Sequence, residues 1–115
     1  MKKIALFAFN GDPMCFIHVL LNTIDMKDKG YSVALIIEGS ATKLIPEIKK
    51  NGHPLNGLYL KVKELGLIDC VCKACANKMG TLDSAKEEGL PICGPMNGHP
   101  SMSSYMEEGY EVLIF

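Results

Sequence analysis

The sequence predicts an α/β protein, a parallel sheet covered on both faces by helices. Three observations predict it. Residues 4–9 are a continuous apolar run of strand length, the mark of a strand buried on both faces, and 31–38 reads as a second buried strand. Longer stretches between such runs carry apolar residues at helical spacing. Strand-like and helix-like segments alternate along the whole chain, as right-handed crossovers between parallel strands require. A chain of 115 residues is one domain. At this size about two-thirds of the unfolded surface is buried, enough for a core without metal or disulfide staples.

The elements follow in order. After the first strand, Asn10-Gly11-Asp12-Pro13 is a turn. Residues 14–29 form a helix with Phe16, Ile17, Leu20, Thr23, Ile24 and Lys27 at helical intervals, and Gly30 stops it. The second strand, residues 31–38, runs into a loop at 39–42, where Ser40 or Thr42 is placed to cap a helix over 43–50. Asn51-Gly52-His53-Pro54 interrupts. A further helix over 55–65 has Leu55, Leu58, Tyr59, Val62 and Leu65 as its stripe. Residues 67–71 are the third strand and deliver Cys72 at its carboxyl end. A short helix closed by Gly80 follows, then a helix over 82–88 capped by Thr81. Residues 90–93 are a short fourth strand or an extended segment. Gly94 to His99 is a turn-rich loop, and Pro100 suits the start of a helix with Met102, Tyr105 and Met106 inward. Residues 110–115 are the last strand.

Composition narrows the function. Formal net charge is -1, and all twelve basic residues are lysine. Near-neutral charge gives no pull toward nucleic acid. The lack of arginine removes the bidentate fork for phosphates and guanine edges. The apolar run after Lys2-Lys3 is six residues long, too short for a signal core or a membrane span. Five cysteines do not fit a fully paired secreted scaffold. Their spacing suits a reducing compartment with free thiols, so the expected setting is cytoplasmic, with no membrane partner. The loop at Asn10 to Pro13 has one glycine and an acid, a poor match to a phosphate loop.

The chemistry concentrates in Asp69-Cys70-Val71-Cys72-Lys73-Ala74-Cys75. Cys72 and Cys75 have C-x-x-C spacing, which on a helix start puts both on one side. A helix N-terminus and the adjacent Lys73 would lower a thiol pKa from about 8.5 to roughly 3.5–7.5. Cys70, within Ile68-Asp69-Cys70-Val71, reads as plain core. In open α/β sheets ligands bind beyond the carboxyl ends of the strands. That rim collects Asn10 to Pro13, Glu38 to Ala41, Cys72 to Cys75, and Cys93 to His99, with Cys15 just behind. Four chemistries fit it: persulfide transfer by Cys72, disulfide exchange by Cys72 and Cys75, metal binding, or an oligomeric binding module with incidental thiols. A structural zinc site usually shows two paired motifs, and only one C-x-x-C exists here, so no metal or cofactor is assigned. Asp12 is placed to cap the first helix or to orient a thiol. His99 reads as a loop brace before a catalytic base.

Several stretches resemble the DsrE-like (DsrEFH) family of small cytoplasmic proteins linked to sulfur relay. They are Lys3-Ile4-Ala5-Leu6-Phe7 with Asn10-Gly11-Asp12-Pro13, Gly30-Tyr31-Ser32-Val33, Gly89-Leu90-Pro91, and Cys72-Lys73-Ala74-Cys75-Ala76 followed by Gly80. Gly98-His99-Pro100-Ser101-Met102 with Gly109-Tyr110-Glu111-Val112 is similar to one subgroup of it. The resemblance implies a five-stranded parallel sheet in a three-layer α/β/α sandwich. It implies homo-oligomers, trimers or hexamers, working with sulfur-donor or acceptor proteins. It also implies that Cys72 accepts persulfide sulfur, with Cys75 matching the second cysteine of C-x-x-C members; on the reading of the rim, Cys75 is the resolving thiol and Asn10, Asp12, Lys73, Cys93 and His99 are in support. The chain departs from relay members in its second motif cysteine, in Lys78-Met79 before the glycine, and in Cys15 and Cys93.

Overall fold

A computed structural model describes residues 2–115. The chain adopts the expected α/β fold. Strands β1 (Lys3–Ala8), β2 (Ser32–Ile37), β3 (Ile68–Cys72), β4 (Ile92–Cys93) and β5 (Glu111–Ile114) make one sheet in the order β4-β3-β2-β1-β5, parallel throughout. The helices are α1 (Pro13–Asp28), α2 (Ile45–Ile48), α3 (Asn56–Glu64), α4 (Lys73–Lys78), α5 (Leu82–Glu87) and α6 (Met102–Glu107).

The strand order decides where the helices go. From β1 to β4 each step moves the same way across the sheet, so right-handed crossovers put α1 to α5 on one face. There Phe16 and Leu20 of α1, Ile45 and Ile48 of α2, and Tyr59 and Val62 of α3 pack with Leu6, Leu35, Ile37 and Val71. The step from β4 to β5 runs back past β1, and α6 lands on the opposite face. There Met102 and Tyr105 cover Ala5, Phe7, Ala34, Ile36 and Cys70. Alternation of side chains along β1 splits Leu6 from Ala5 and Phe7 in this way. Tyr105 meets the Phe7 ring edge-on, centroids 5.5 Å apart, an arrangement aromatic pairs favour.

Several expectations change. The helix expected over 43–50 is a 3-10 turn (Gly39–Leu44) followed by the single turn α2. Pro46 cannot donate to an earlier turn, and the two candidate caps are engaged elsewhere. The Ser40 hydroxyl accepts from the Gly11 N–H and donates to the Phe9 carbonyl, and Thr42 donates to the Gly39 carbonyl. Gly11 is required here, since a Cβ would lie 2.4 Å from the Ser40 carbonyl oxygen. Leu65 and Met106 are exposed rather than inward. Leu65 follows the last turn of α3, and Met106 lies on a helix whose face of the sheet carries no other helix. Residues 90–93 yield a strand of only two residues.

Cys70 is not plain core, and Cys93 is not a free thiol. The two form a disulfide across β3 and β4, with Cα atoms 5.7 Å apart, within the usual range for such a bond. Cys15, Cys72 and Cys75 are free. Among the described residues no helix is long and apolar enough to cross a membrane.

Candidate thiol site

The loop leaving β3 turns to the five-helix face, and the loop leaving β4 turns to the α6 face. The carboxyl ends of these neighbouring strands therefore part, which is the topological switch point where open α/β sheets bind ligands. Cys72 is the last residue of β3, paired in register with Cys93 of β4. It is also the N-cap of α4: its Sγ accepts from the Cys75 N–H at 3.3 Å.

The second wall is the loop after β4. Met96 to His99 is a tight turn with paired backbone bonds, Met96 N–H to His99 O at 2.9 Å and His99 N–H to Met96 O at 3.0 Å. Both central residues have positive φ, 52° at Asn97 and 90° at Gly98. That is the geometry Asn-Gly favours in two-residue reversals. The Gly98 carbonyl accepts from the Ala74 N–H at 2.9 Å, closing the loop onto α4. A Cβ on Gly98 would lie 3.1 Å from that of Ala74. The turn thus aims His99 at the thiols. Its Nδ1 lies 3.2 Å from Cys72 Sγ and 3.6 Å from Cys75 Sγ.

Glu38 completes the site. It follows β2 on the same side as Ile36, which is paired with Cys70, so Glu38 and Cys72 end adjacent strands on one face. Donor atoms of Glu38, Cys72, Cys75 and His99 all lie within 4.8 Å of one another. Beside them a cleft of about 510 Å³ is lined by Phe9, Glu38, Met96, His99, Pro100 and Met102, among others.

The electrostatics reverse the expectation for Cys72. Its side chain is fully buried. Burial, and then the hydrogen bond with the Cys75 thiol, push its pKa up to about 12, while the Cys75 backbone N–H lowers it only in part. Desolvation beats the helix terminus because α4 has six residues and supplies one bond. Lys73 is exposed on the neighbouring cleft and is not among the charges acting on the thiol. Burial likewise pushes Glu38 up to about 7.

Of the expected site residues, the fold brings together Cys72, Cys75 and His99. Cys93 is adjacent but bonded to Cys70. Asn10 and Asp12 serve their own loop: Asn10 Oδ1 accepts from the Asp12 N–H, and Asp12 Oδ1 caps α1 at the Met14 N–H. Cys15 is exposed on α1. Glu38 is the functional residue that local sequence pattern leaves without a role. Its signal is an acid directly after Leu35-Ile36-Ile37, at the carboxyl end of a buried strand.

Fold and site together define a small α/β protein with a paired-thiol, histidine-flanked pocket at the switch point of its sheet. The chain belongs to the family of the uncharacterised protein MJ0733 of Methanocaldococcus jannaschii, to which it is 31% identical over 96 residues, 84% of this chain and 76% of that one. It is also similar to two uncharacterised proteins of Archaeoglobus fulgidus. One is 54% identical over 37 residues, 32% of this chain and 100% of the relative; the other is 49% identical over 41 residues, 36% and 67%. A conserved protein of unknown function, BT1422 of Bacteroides thetaiotaomicron, has the same fold: TM-score 0.74, 15% identity, 99% of this chain and 95% of that one. No family model matches the chain.

Proposed function

We propose that this protein is a cytoplasmic sulfur carrier of the DsrE-like kind, handling persulfide sulfur at Cys72 and Cys75 and assembling as a homo-oligomer. The observation that carries the proposal is the His99 ring nitrogen within reach of both thiols, 3.2 and 3.6 Å away. A thiol needs a base to become the attacking thiolate, and one imidazole serves two sulfurs here.

Exposure orders the two thiols differently from the resemblance. Cys72 is closed off from solvent, whereas Cys75 is part-exposed. Cys75 therefore meets the donor. It passes its proton to His99, and its thiolate attacks the outer sulfur of a donor persulfide. The donor's S–S bond breaks, the donor leaves as a thiol carrying that proton, and Cys75 holds the persulfide. An acceptor thiolate then takes the outer sulfur and restores the Cys75 thiol. Without an acceptor, Cys72 attacks the inner sulfur of the Cys75 persulfide. A Cys72–Cys75 disulfide forms and sulfide leaves, so two thiols are oxidised as one sulfane sulfur is reduced.

The test is intact-mass analysis and peptide mapping after brief exposure to polysulfide. One added sulfur on Cys75 is expected in Cys72→Ser, and none at this site in Cys75→Ser. Sulfur scattered over the free cysteines, or unchanged in Cys75→Ser, overturns the proposal.

A further inference from the structure

Sulfur transfer gives no task to Glu38. The residue is 5% exposed. Among the described residues no cation pairs with it, and it lines the cleft beside the thiols. A carboxyl group at the mouth of this cleft, beside two thiols and an imidazole and without a counter-charge from the protein, is placed to ligate a cation.

We propose that Glu38, Cys72, Cys75 and His99 form a mononuclear metal site for zinc or another divalent ion that favours tetrahedral coordination. The two sulfur-to-nitrogen distances are close to those of a zinc site. Zinc bonds of about 2.3 Å to sulfur and about 2.05 Å to nitrogen at a tetrahedral angle place the two donors about 3.6 Å apart. The two thiol-to-imidazole distances are 3.2 and 3.6 Å, and all four donor atoms lie within 4.8 Å of one another. Two sulfurs, one nitrogen and one oxygen suit zinc, iron(II) or cobalt(II) and disfavour magnesium and calcium. Each thiol releases its proton as the metal binds.

The second motif that a paired-cysteine site would need is absent. Here the fold supplies its two remaining ligands from separate segments, the end of β2 and the Asn97-Gly98 turn. With all four positions taken by protein the site is closed, the form that structural metals take. The ion would join β2, the start of α4 and the loop before α6. It would also hold both thiols as metal thiolates, out of reach of sulfur donors. The site stands on its own geometry and does not depend on the sulfur reading.

The experiment is titration of metal-free, anaerobic protein, its Cys70–Cys93 disulfide intact, with cobalt(II) and then zinc. Expected are one cobalt per chain, cobalt–thiolate charge-transfer absorption, intense tetrahedral visible bands, and displacement of both by zinc. Cys72→Ser and His99→Gln should each weaken binding at least 100-fold. Glu38→Gln, nearly the same shape, should weaken it about tenfold, and Cys15→Ser should leave it unchanged. Circular dichroism shows whether each variant is folded, and His99→Gln decides if Cys72→Ser is not. Absence of tetrahedral bands, or bands that persist in His99→Gln, overturns the site. Zinc binding in a protein whose apo form takes no sulfur leaves the metal site standing and removes the sulfur reading. Sulfur uptake without any metal binding does the reverse.

Discussion

Reducing the Cys70–Cys93 disulfide should cost most of the stability that any single bond in this protein supplies. The two residues are 23 apart in sequence. Closing a loop of that length removes entropy from the unfolded chain worth about 3.4 kcal/mol at 25 °C. A 115-residue domain has an unfolding entropy of about 0.24 kcal/mol/K near 60 °C, so the melting temperature should fall by about 14 °C. The loss should not be uniform. β4 is two residues long and pairs only at Val71↔Ile92 and Cys72↔Cys93. The disulfide is therefore its chief anchor, and amides of β4 and of the loop through His99 should exchange faster in reduced protein before the rest of the sheet does. The assay is urea and thermal unfolding of oxidised and phosphine-reduced protein, with hydrogen exchange read by peptide. Reduction leaves both cysteine side chains in place, so lost packing does not confuse the comparison. A stability change under about 1 kcal/mol, or exchange that rises equally everywhere, would refute the reasoning.

Other outcomes follow from single contacts. Tyr59→Phe removes the 2.6 Å bond from a fully buried tyrosine hydroxyl to Glu88; urea unfolding should show a loss of about 1.5 kcal/mol at neutral pH. That bond, ahead of the Lys63 contact, holds the Glu88 pKa below its ordinary value. Its stabilisation is therefore present above about pH 4.3 and fades as pH falls through the lower folded value, so the gap between wild type and variant should close on acidification. Gly98→Ala puts a side chain at φ 90° and against Ala74; thermal melting should show a cost of about 1–2 kcal/mol, with slower sulfur loading as His99 shifts. Cys15→Ser, exposed on α1, should leave sulfur loading unchanged by intact mass.

The fold was legible because residues 4–9 and 33–37 are unbroken apolar runs and glycines end most helices. The three strongest strands, the Asp12 cap and the rim position of Cys72 were all readable from local pattern. The 3-10 turn was not, because Ser40 looks like a helix cap until the fold brings Gly11 and Phe9 to its hydroxyl. Cys70 looked like core because it is core, 1% exposed; its bond to Cys93 depends on the register of β3 and β4. The depressed thiol pKa expected from the helix terminus failed because burial depth is a tertiary property. His99 was readable as a loop residue, and the Asn97-Gly98 pair signals the tight reversal, but its aim at two sulfurs follows only from the closure of Gly98 onto Ala74. Glu38 reaches the thiols for the same kind of reason: β2 and β3 end side by side.

The central claim is that Cys72, Cys75 and His99 act as one sulfur-handling unit. Its most direct test is the stoichiometry of sulfide released when metal-free protein meets a persulfide donor with no acceptor present. One sulfide for each new Cys72–Cys75 disulfide is predicted. Both products should vanish in Cys75→Ser, Cys72→Ser should retain its persulfide without releasing sulfide, and His99→Gln should slow the reaction at least tenfold. Sulfide release that persists in Cys75→Ser, or a rate indifferent to His99, would contradict the account.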